Sequence, residues 1–236
     1  MTDKDETMNE IIKQKEKRKK MLLISVCVVV GIFVVFGLTY LILSPIKSGF
    51  DARKAAKWEA KYGKIPSYVF AEPDYNFDIF SDPGYMEKDR GVKYFDGAGT
   101  TTITDANLSV YAPEVQFMYN VVQMLIRGQY EEYKKIFTDE YLKNAGDDFR
   151  EQFTMQQLYD IQLETVDYSI DGDVINPVIS VSYKIRNNTG TLRTDLDCNE
   201  EAWRPVVYML TMKGSDIKVT NYMPLSKYEY VYKNNN

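Results

Sequence analysis

The chain of 236 residues contains no histidine and only two cysteines, and both shortages exclude common kinds of functional site. Without histidine, the chain has no Ser-His-Asp or Cys-His nucleophile system and no H-E-x-x-H zinc motif. The cysteines, Cys27 and Cys198, are too few for a thiolate zinc site or a disulfide framework. The sequence therefore predicts no cofactor, no metal site and a fold that does not depend on disulfide bonds.

Excess basic charge is also missing from most of the chain. Residues 44–236 hold 22 Lys and Arg against 29 Asp and Glu, a net charge of −7. A nucleic-acid-binding domain needs basic surface to displace counterions from phosphates. We therefore predict that nucleic acid is not a partner.

One long stretch, residues 21–43, has no charged residue: MLLISVCVVVGIFVVFGLTYLIL. As a helix it would span about 34 Å, enough to cross the hydrocarbon core of a bilayer. A buried helix of a soluble domain would carry a polar face, which this stretch lacks. The stretch is also longer than the apolar region of a cleaved signal peptide, and no A-x-A-like site follows it. We predict an uncleaved transmembrane anchor.

The orientation of the anchor is predicted from the tail at residues 1–20. Six of the eight residues before the apolar stretch are basic, although four further basic residues follow it. Basic residues beside a span remain in the cytoplasm. We therefore expect a single-pass cell-membrane protein with a cytoplasmic N-terminus and an extracytoplasmic C-terminal part. The residues that determine this topology are Lys13, Lys15, Lys17, Arg18, Lys19 and Lys20.

Residues 44–112 form a predicted juxtamembrane segment with two parts of different composition. The sequence DARKAAKWEAKYGK is rich in helix formers and predicts a short helix that ends at Gly63. Residues 65–112 are punctuated by proline and glycine but dense in aromatic rings, which predicts an extended arm with one or two short strands, pinned to the following domain. Its regularly spaced acids, Asp74, Asp78 and Asp82, lack the spacing of a calcium-binding EF-hand loop. We interpret them as turn caps or a solvated acidic face.

Residues 113–236 begin with a run of predicted helices. Pro113 suits the first turn of a helix, and apolar residues then recur at helical spacing up to Gly128. GQYEEYKKIF predicts a second helix, and Thr138 suits the cap of a third, DEYLKN. Thr154 and Gln157 match a capping box for a fourth, MQQLYD.

Strands follow the helices. Apolar residues alternate from Val166 to Ile170 and from Ile179 to Ile185, with Asp171-Gly172 as the tight turn of a hairpin. Three further strands are predicted, at 191–198, 205–212 and 217–223. The sequence thus predicts an α+β domain over 113–236, with helices followed by a curved antiparallel sheet of four to five strands.

The stretch MYNVVQMLIRGQYEEYKKIFTDEYLKN, with Gly128, Tyr130 and Tyr133 at the step between two helices, resembles the cone-shaped fold of ketosteroid isomerases and nuclear transport factor two. Combined with a basic tail and one span, the layout is similar to assembly-scaffold subunits of type IV secretion and conjugation machines. It is also similar to exported bacterial proteins that carry this fold as a membrane-tethered module. The scaffold resemblance implies a non-enzymatic interaction subunit of an envelope complex, with the membrane, other envelope proteins and a second copy of the chain as partners.

Six aromatic residues are candidates for the domain core or for the lining of a pocket. A cone fold can enclose an apolar cavity in which a desolvated carboxylate acts as a base. The alternative function is therefore a tethered pocket domain for a small apolar ligand, or an enzyme of the isomerase or lyase kind. Since no acid pair has a recognisable catalytic spacing, we predict no catalytic residues and a core of rings. The six are Phe117, Tyr130, Tyr133, Tyr159, Trp203 and Tyr208.

Overall fold

The computed structural model describes residues 49–63, 68–146, 149–150, 152–198 and 202–233. The chain divides into two compact units, Met1–Ala56 and Lys57–Asn236. Within the described residues, no helix has the length and apolar character needed to cross a membrane. The predicted basic tail and the predicted span at 21–43 lie outside the described residues.

The first described helix, α1, covers residues 49–62 and confirms that the stretch before Gly63 is helical. Ala, Lys and Glu favour helix here, and Gly63 follows the last turn, where its N–H donates to the carbonyl of Glu59 at 2.9 Å. Trp58 and Tyr62, one turn apart, place their ring centroids 5.8 Å from each other. Residues from Lys57 onward belong to the second unit.

The second unit is an α+β domain built on one six-stranded sheet. The strands are β1 (Val92–Phe95), β2 (Thr100–Ile103), β3 (Leu158–Asp171), β4 (Val174–Ile185), β5 (Val206–Lys213) and β6 (Asp216–Pro224), in the order β2-β1-β3-β4-β5-β6. All neighbours are antiparallel except β1 and β3, which are parallel. The α+β class is confirmed, whereas the prediction of a purely antiparallel sheet of four to five strands is wrong.

The two extra strands come from the aromatic arm. β1 and β2 form a hairpin in which Val92 pairs with Ile103, and both side chains are buried. The turn between them places Gly97 at a φ of +87°, which glycine adopts without steric cost. The prediction that the arm contains short strands fixed to the domain is confirmed.

The described residues between β2 and β3 form three α-helices, α3 (Pro113–Ile126), α4 (Tyr130–Lys135) and α5 (Asp139–Ala145), after a short 3-10 turn at Leu108–Val110. The buried stripe of α3 follows the predicted spacing, and Gly128 ends it at a φ of +66°. A Cβ at Gly128 would lie 3.0 Å from the backbone nitrogen of Met155, so a larger residue would also crowd the next segment. The hydroxyl of Thr138 accepts from the N–H of Tyr141 at 3.2 Å and caps α5 as predicted.

Two predicted elements are absent from the described residues. The fourth helix, MQQLYD, is wrong because β3 begins at Leu158 and pairs there with Ile185 of β4. The strand predicted at 191–198 is also wrong, because its described residues form bends and turns. There the side-chain amide of Asn188 donates to the carbonyls of Arg193 (2.8 Å) and Leu196 (2.9 Å), which holds the segment as a compact loop.

The buried side chains of the described residues form two clusters in this unit. The larger cluster contains side chains from α3, from α4 and from one face of the sheet, including Ile179, Val181 and Tyr183 of β4. The smaller contains Val178, Val207, Met223 and Tyr228, the last of which comes from α6 (Leu225–Tyr228). A π-helical turn, Glu229–Lys233, follows α6. α6 therefore packs over the smaller cluster. This helix is not predicted from the sequence.

The arm before β1 is attached to the sheet by polar contacts as well as rings. α2 (Pro83–Met86) is capped by Asp82, whose carboxylate accepts from the N–H of Gly84 at 2.9 Å and pairs with the guanidinium of Arg186. The hydroxyl of Tyr85 donates to the carbonyl of Leu158 at 3.0 Å, and the ring is fully buried. These contacts join the arm to the start of β3 and the end of β4.

The acidic series is confirmed as a set of turn caps. The carboxylates of Asp74, Asp78 and Asp82 each accept from the backbone N–H two residues further on, at 2.9, 3.0 and 2.9 Å. This local bonding is the usual use of aspartate at turns.

Candidate functional site

The interior of the larger cluster contains a pair of tyrosines that touch through their hydroxyls. Tyr133 of α4 and Tyr208 of β5 are buried, and their hydroxyl oxygens lie 3.0 Å apart in a hydrogen bond. Phe137 and Phe153 pack edge-on against the ring of Tyr133, with centroid distances of 5.1 and 5.4 Å. Edge-to-face contacts of this kind stabilise a rigid aromatic core.

A buried cation lies beside these rings. The side chain of Arg193 is only 5% exposed. Its Nε and Nη2 donate to the two carboxylate oxygens of Asp195 at 2.6 and 2.7 Å. Nη2 also donates to the carbonyl of Arg204 at 2.9 Å, and Nη1 donates to the hydroxyl of Tyr183 at 3.2 Å. The guanidinium is thus bonded on both sides by fixed partners, the arrangement that makes a buried charge tolerable.

The electrostatics of this group keep its charges fixed near neutral pH. Burial by itself raises the pKa of the Asp195 carboxyl, but the hydrogen bonds from Arg193 outweigh it and lower the pKa below its ordinary value. Burial raises the pKa of the hydroxyls of Tyr133, Tyr208 and Tyr222, so these tyrosines stay neutral. A general base needs a pKa raised toward neutrality. Asp195 is shifted in the opposite direction.

The six aromatic residues predicted from the sequence lie at two different sites in the structure. Tyr133 and Tyr208 meet directly, Tyr130 packs on Phe153 at 6.3 Å, and Phe117 lies partly buried against the same cluster. Tyr159 and Trp203 instead approach Lys184, whose Nζ lies 5.8 and 6.0 Å from their ring centroids. Trp203 departs from the expectation of a core ring, because it is 48% exposed.

Sequence reasoning did not find the polar members of the interior group. Arg193 and Asp195 lie in a polar loop, where charged residues are ordinarily solvated. Tyr183 alternates with apolar residues along β4 and could have been placed inward from that pattern. The only sequence signal for the buried ion pair is the spacing of Arg193 and Asp195, which many exposed loops share.

The structure also shows an exposed apolar surface at the end of the β3–β4 hairpin. Tyr168 and Ile170 are 47% and 67% exposed. They pair across the hairpin with Pro177, which is buried, and with Ile175, which is half-buried. The four side chains share one face of the sheet. β1 ends at Phe95, opposite Glu164, and does not extend beside this part of β3.

Metal-binding chemistry finds no support in the described residues, which bring no three Cys, Asp or Glu side chains together in a way that could hold an ion. Cys198 is partly exposed, and its thiol donates to the carboxylate of Asp197 at 3.1 Å.

Comparison of the chain with protein-family models, curated proteins and solved structures found no match.

Proposed function

We propose that this protein is a single-pass membrane-anchored scaffold that acts by binding other proteins of a bacterial envelope complex, such as a conjugation or type IV secretion machine. Its anchor is the uncharged stretch at 21–43, and the α+β domain lies outside the cytoplasm. In this proposal the domain is a rigid frame without catalytic activity, and its outer surface contacts partners held at the same membrane.

The observation that carries the proposal is the hydrogen-bonded interior. The partly buried carboxylate of Asp195 is held by two bonds from Arg193, and the hydroxyls of Tyr133 and Tyr208 bond to each other. An isomerase of the cone fold would need a carboxylate whose pKa burial has raised, free to accept a proton. A bonded interior of this kind supports a structural role and speaks against the tethered pocket enzyme.

We further propose that the domain has the cone-like arrangement of nuclear transport factor two and ketosteroid isomerase. In its support, α3 contacts both β3 and β4, and β3 carries two bulges, between Tyr159 and Gln162 and between Thr165 and Asp167. Bulges bend a strand and increase its twist, which is how a sheet curves around a helix.

The surface we propose for partner contact is the apolar end of the β3–β4 hairpin, where Tyr168 and Ile170 are exposed beside the half-buried Ile175. Exposed apolar residues that lie side by side often mark protein interfaces, and tyrosine is enriched there. The bounding acids Asp171 and Asp173 would form part of a polar rim.

The first test measures the size of the assembly. Full-length protein solubilised from its native membranes in mild nonionic detergent is expected to migrate on a native gel as a complex larger than its monomer. The double variant Tyr168→Ser/Ile170→Ser should shift most of the protein to the smaller species, because it removes the exposed apolar contact without removing a buried group.

Val110→Ser supplies the matched control, since Val110 is 78% exposed at a different place, between β2 and α3. It should leave the complex intact, and all variants should keep the same melting temperature. A wild-type protein that migrates as a monomer would contradict the scaffold proposal. A double variant that stays in the complex would contradict only the choice of surface.

The second test concerns topology. With the basic block before the span, protease added to intact cells or to spheroplasts is expected to degrade the domain at 57–233 and to leave the N-terminal tail protected. An epitope at each end, followed by immunoblotting, reports the two regions separately. Protection of the domain together with cleavage of the tail would overturn the proposed orientation.

A further inference from the structure

A cluster of lysines and aromatic rings lies where β3 begins. The ring of Tyr159 has two ammonium groups near it, Nζ of Lys88 at 5.0 Å and Nζ of Lys184 at 5.8 Å from its centroid. Lys184 pairs with Tyr159 across β3 and β4, whereas Lys88 comes from the loop after α2. Two separate segments therefore bring positive charge to one ring.

The backbone at this point is strained. Asp160 has a φ of +52°, a left-handed conformation that is costly for a residue other than glycine, and it lies at a bulge of β3. The conformation is held by two contacts: its N–H donates to the carbonyl of Asp89 at 2.8 Å, and its carboxylate pairs with Nζ of Lys184 at 2.9 Å. The bulge thus fixes Lys184 beside Tyr159.

The charges of the cluster are not balanced. The carboxylate of Asp89 is paired with Lys93 at 2.6 Å, and that of Asp160 is paired with Lys184. Lys88 contacts the Tyr159 ring and has no carboxylate partner among the described residues. In the same loop, Nε of Arg90 is buried and has no hydrogen-bond partner within the part of the chain that the structure describes. Lys88 and Arg90 therefore form no ion pair within the described residues, although Glu87 in the same loop offsets part of their charge.

An exposed indole borders the cluster. Trp203 is 48% exposed, and Nζ of Lys184 lies 6.0 Å from its ring centroid. The exposed face of this ring can pack against the C–H groups of a ligand, and its Nε1–H can donate a hydrogen bond.

We propose that this cluster binds a phosphoester: the phosphate lies between Lys88 and Lys184, and the sugar or glycerol attached to it packs on Trp203. Lysine binds phosphate as a point charge, and two of them converging from different segments give a site that one surface lysine does not. The glycerol phosphate of a lipid headgroup and a soluble sugar or glycerol phosphate share this chemistry.

The composition of the chain makes the test direct, because Trp58 and Trp203 are its only tryptophans. The variant Trp58→Phe leaves Trp203 as the sole indole reporter. The full chain carrying this variant is placed in phosphatidylcholine nanodiscs and titrated with glycerol 3-phosphate at constant ionic strength, set with sodium chloride. The emission of Trp203 is expected to change and to saturate.

Lys88→Ala in the same background should weaken binding about fivefold, the usual scale for loss of one partly exposed charge–phosphate contact, and Lys88→Arg should restore most of it. Lys213→Ala is the control, because Lys213 is an exposed lysine at the far end of β5. It should leave the titration unchanged.

Nanodiscs containing phosphatidylglycerol separate the two sources of ligand. If the lipid headgroup is the ligand, they shift the Trp203 emission before any addition and block the response to glycerol 3-phosphate. If a soluble phosphoester is the ligand, the titration is the same in both kinds of disc. The proposal is overturned if the Trp203 emission responds only linearly to glycerol 3-phosphate in phosphatidylcholine discs and does not shift in phosphatidylglycerol discs. It is also overturned if Lys88→Ala leaves the midpoint of the glycerol 3-phosphate titration unchanged. Neither result affects the proposed scaffold function.

Discussion

Arg193→Met is expected to lower the free energy of unfolding of the domain by about 3 kcal/mol. The change leaves the carboxylate of Asp195 without its two charged bonds and removes the donor to the hydroxyl of Tyr183. Removal of one partner of a buried pair costs about 3–5 kcal/mol, and the lower end applies because Asp195 keeps 29% of its side-chain exposure.

The measurement is thermal unfolding of the full chain in nonionic micelles, followed by near-ultraviolet circular dichroism. A loss of this size should lower the melting temperature by about 6–12 °C for a domain of this length. The double variant Arg193→Met/Asp195→Leu is the matched control and should recover much of the loss, because it leaves no unpaired charge. Equal melting temperatures for wild type and Arg193→Met would show that the ion pair is not buried as described.

Tyr85→Ala should cost about 3–5 kcal/mol, the range measured when a large buried ring is truncated. Tyr85 is fully buried, and its hydroxyl donates to the carbonyl of Leu158 at the start of β3. The loss should therefore also loosen the arm before β1. Limited proteolysis of the folded protein, read by mass spectrometry, is expected to show new cleavage between residues 68 and 91.

Two further substitutions show which part of the Tyr85 side chain causes the expected loss of stability. Tyr85→Phe keeps the ring and removes only the donor to the carbonyl of Leu158, so it should cost about 1–2 kcal/mol. Phe80→Ala removes a neighbouring ring that is 38% exposed and should cost much less than Tyr85→Ala. If Tyr85→Ala had no effect on unfolding or on proteolysis, the arm would be a free linker.

The helices and hairpins of this domain could be predicted because their signals are local. α3 carries apolar residues at helical spacing between Pro113 and Gly128, and both ends follow from backbone preferences of those two residues. The hairpin of β3 and β4 turns at Gly172, where φ is +61°. The turn caps at Asp74, Asp78 and Asp82 are local in the same sense, because each bonds its own following residues.

The errors arose where distant segments override local signals. Thr154 and Gln157 match a capping box, but Leu158 pairs with Ile185 and starts β3, because the sheet buries more apolar surface than one short helix would. The sequence predicts β1 and β2 as part of an arm outside the sheet domain. Their local sequence does not encode the parallel pairing of β1 with β3, which depends on a segment more than sixty residues away.

By itself, the sequence determined the α+β class, the uncharged stretch long enough for an anchor, and the absence of histidine-based chemistry. Those properties depend on composition and on periods of a few residues. Only the tertiary structure decided that Arg193 is buried against Asp195 and Tyr183, and that Lys88 and Lys184 approach one ring. Lys88 and Lys184 lie far from Tyr159 in the chain, and Arg193 lies in a different segment from Tyr183. Their burial and charge balance follow from which strands are neighbours, and no local pattern encodes that.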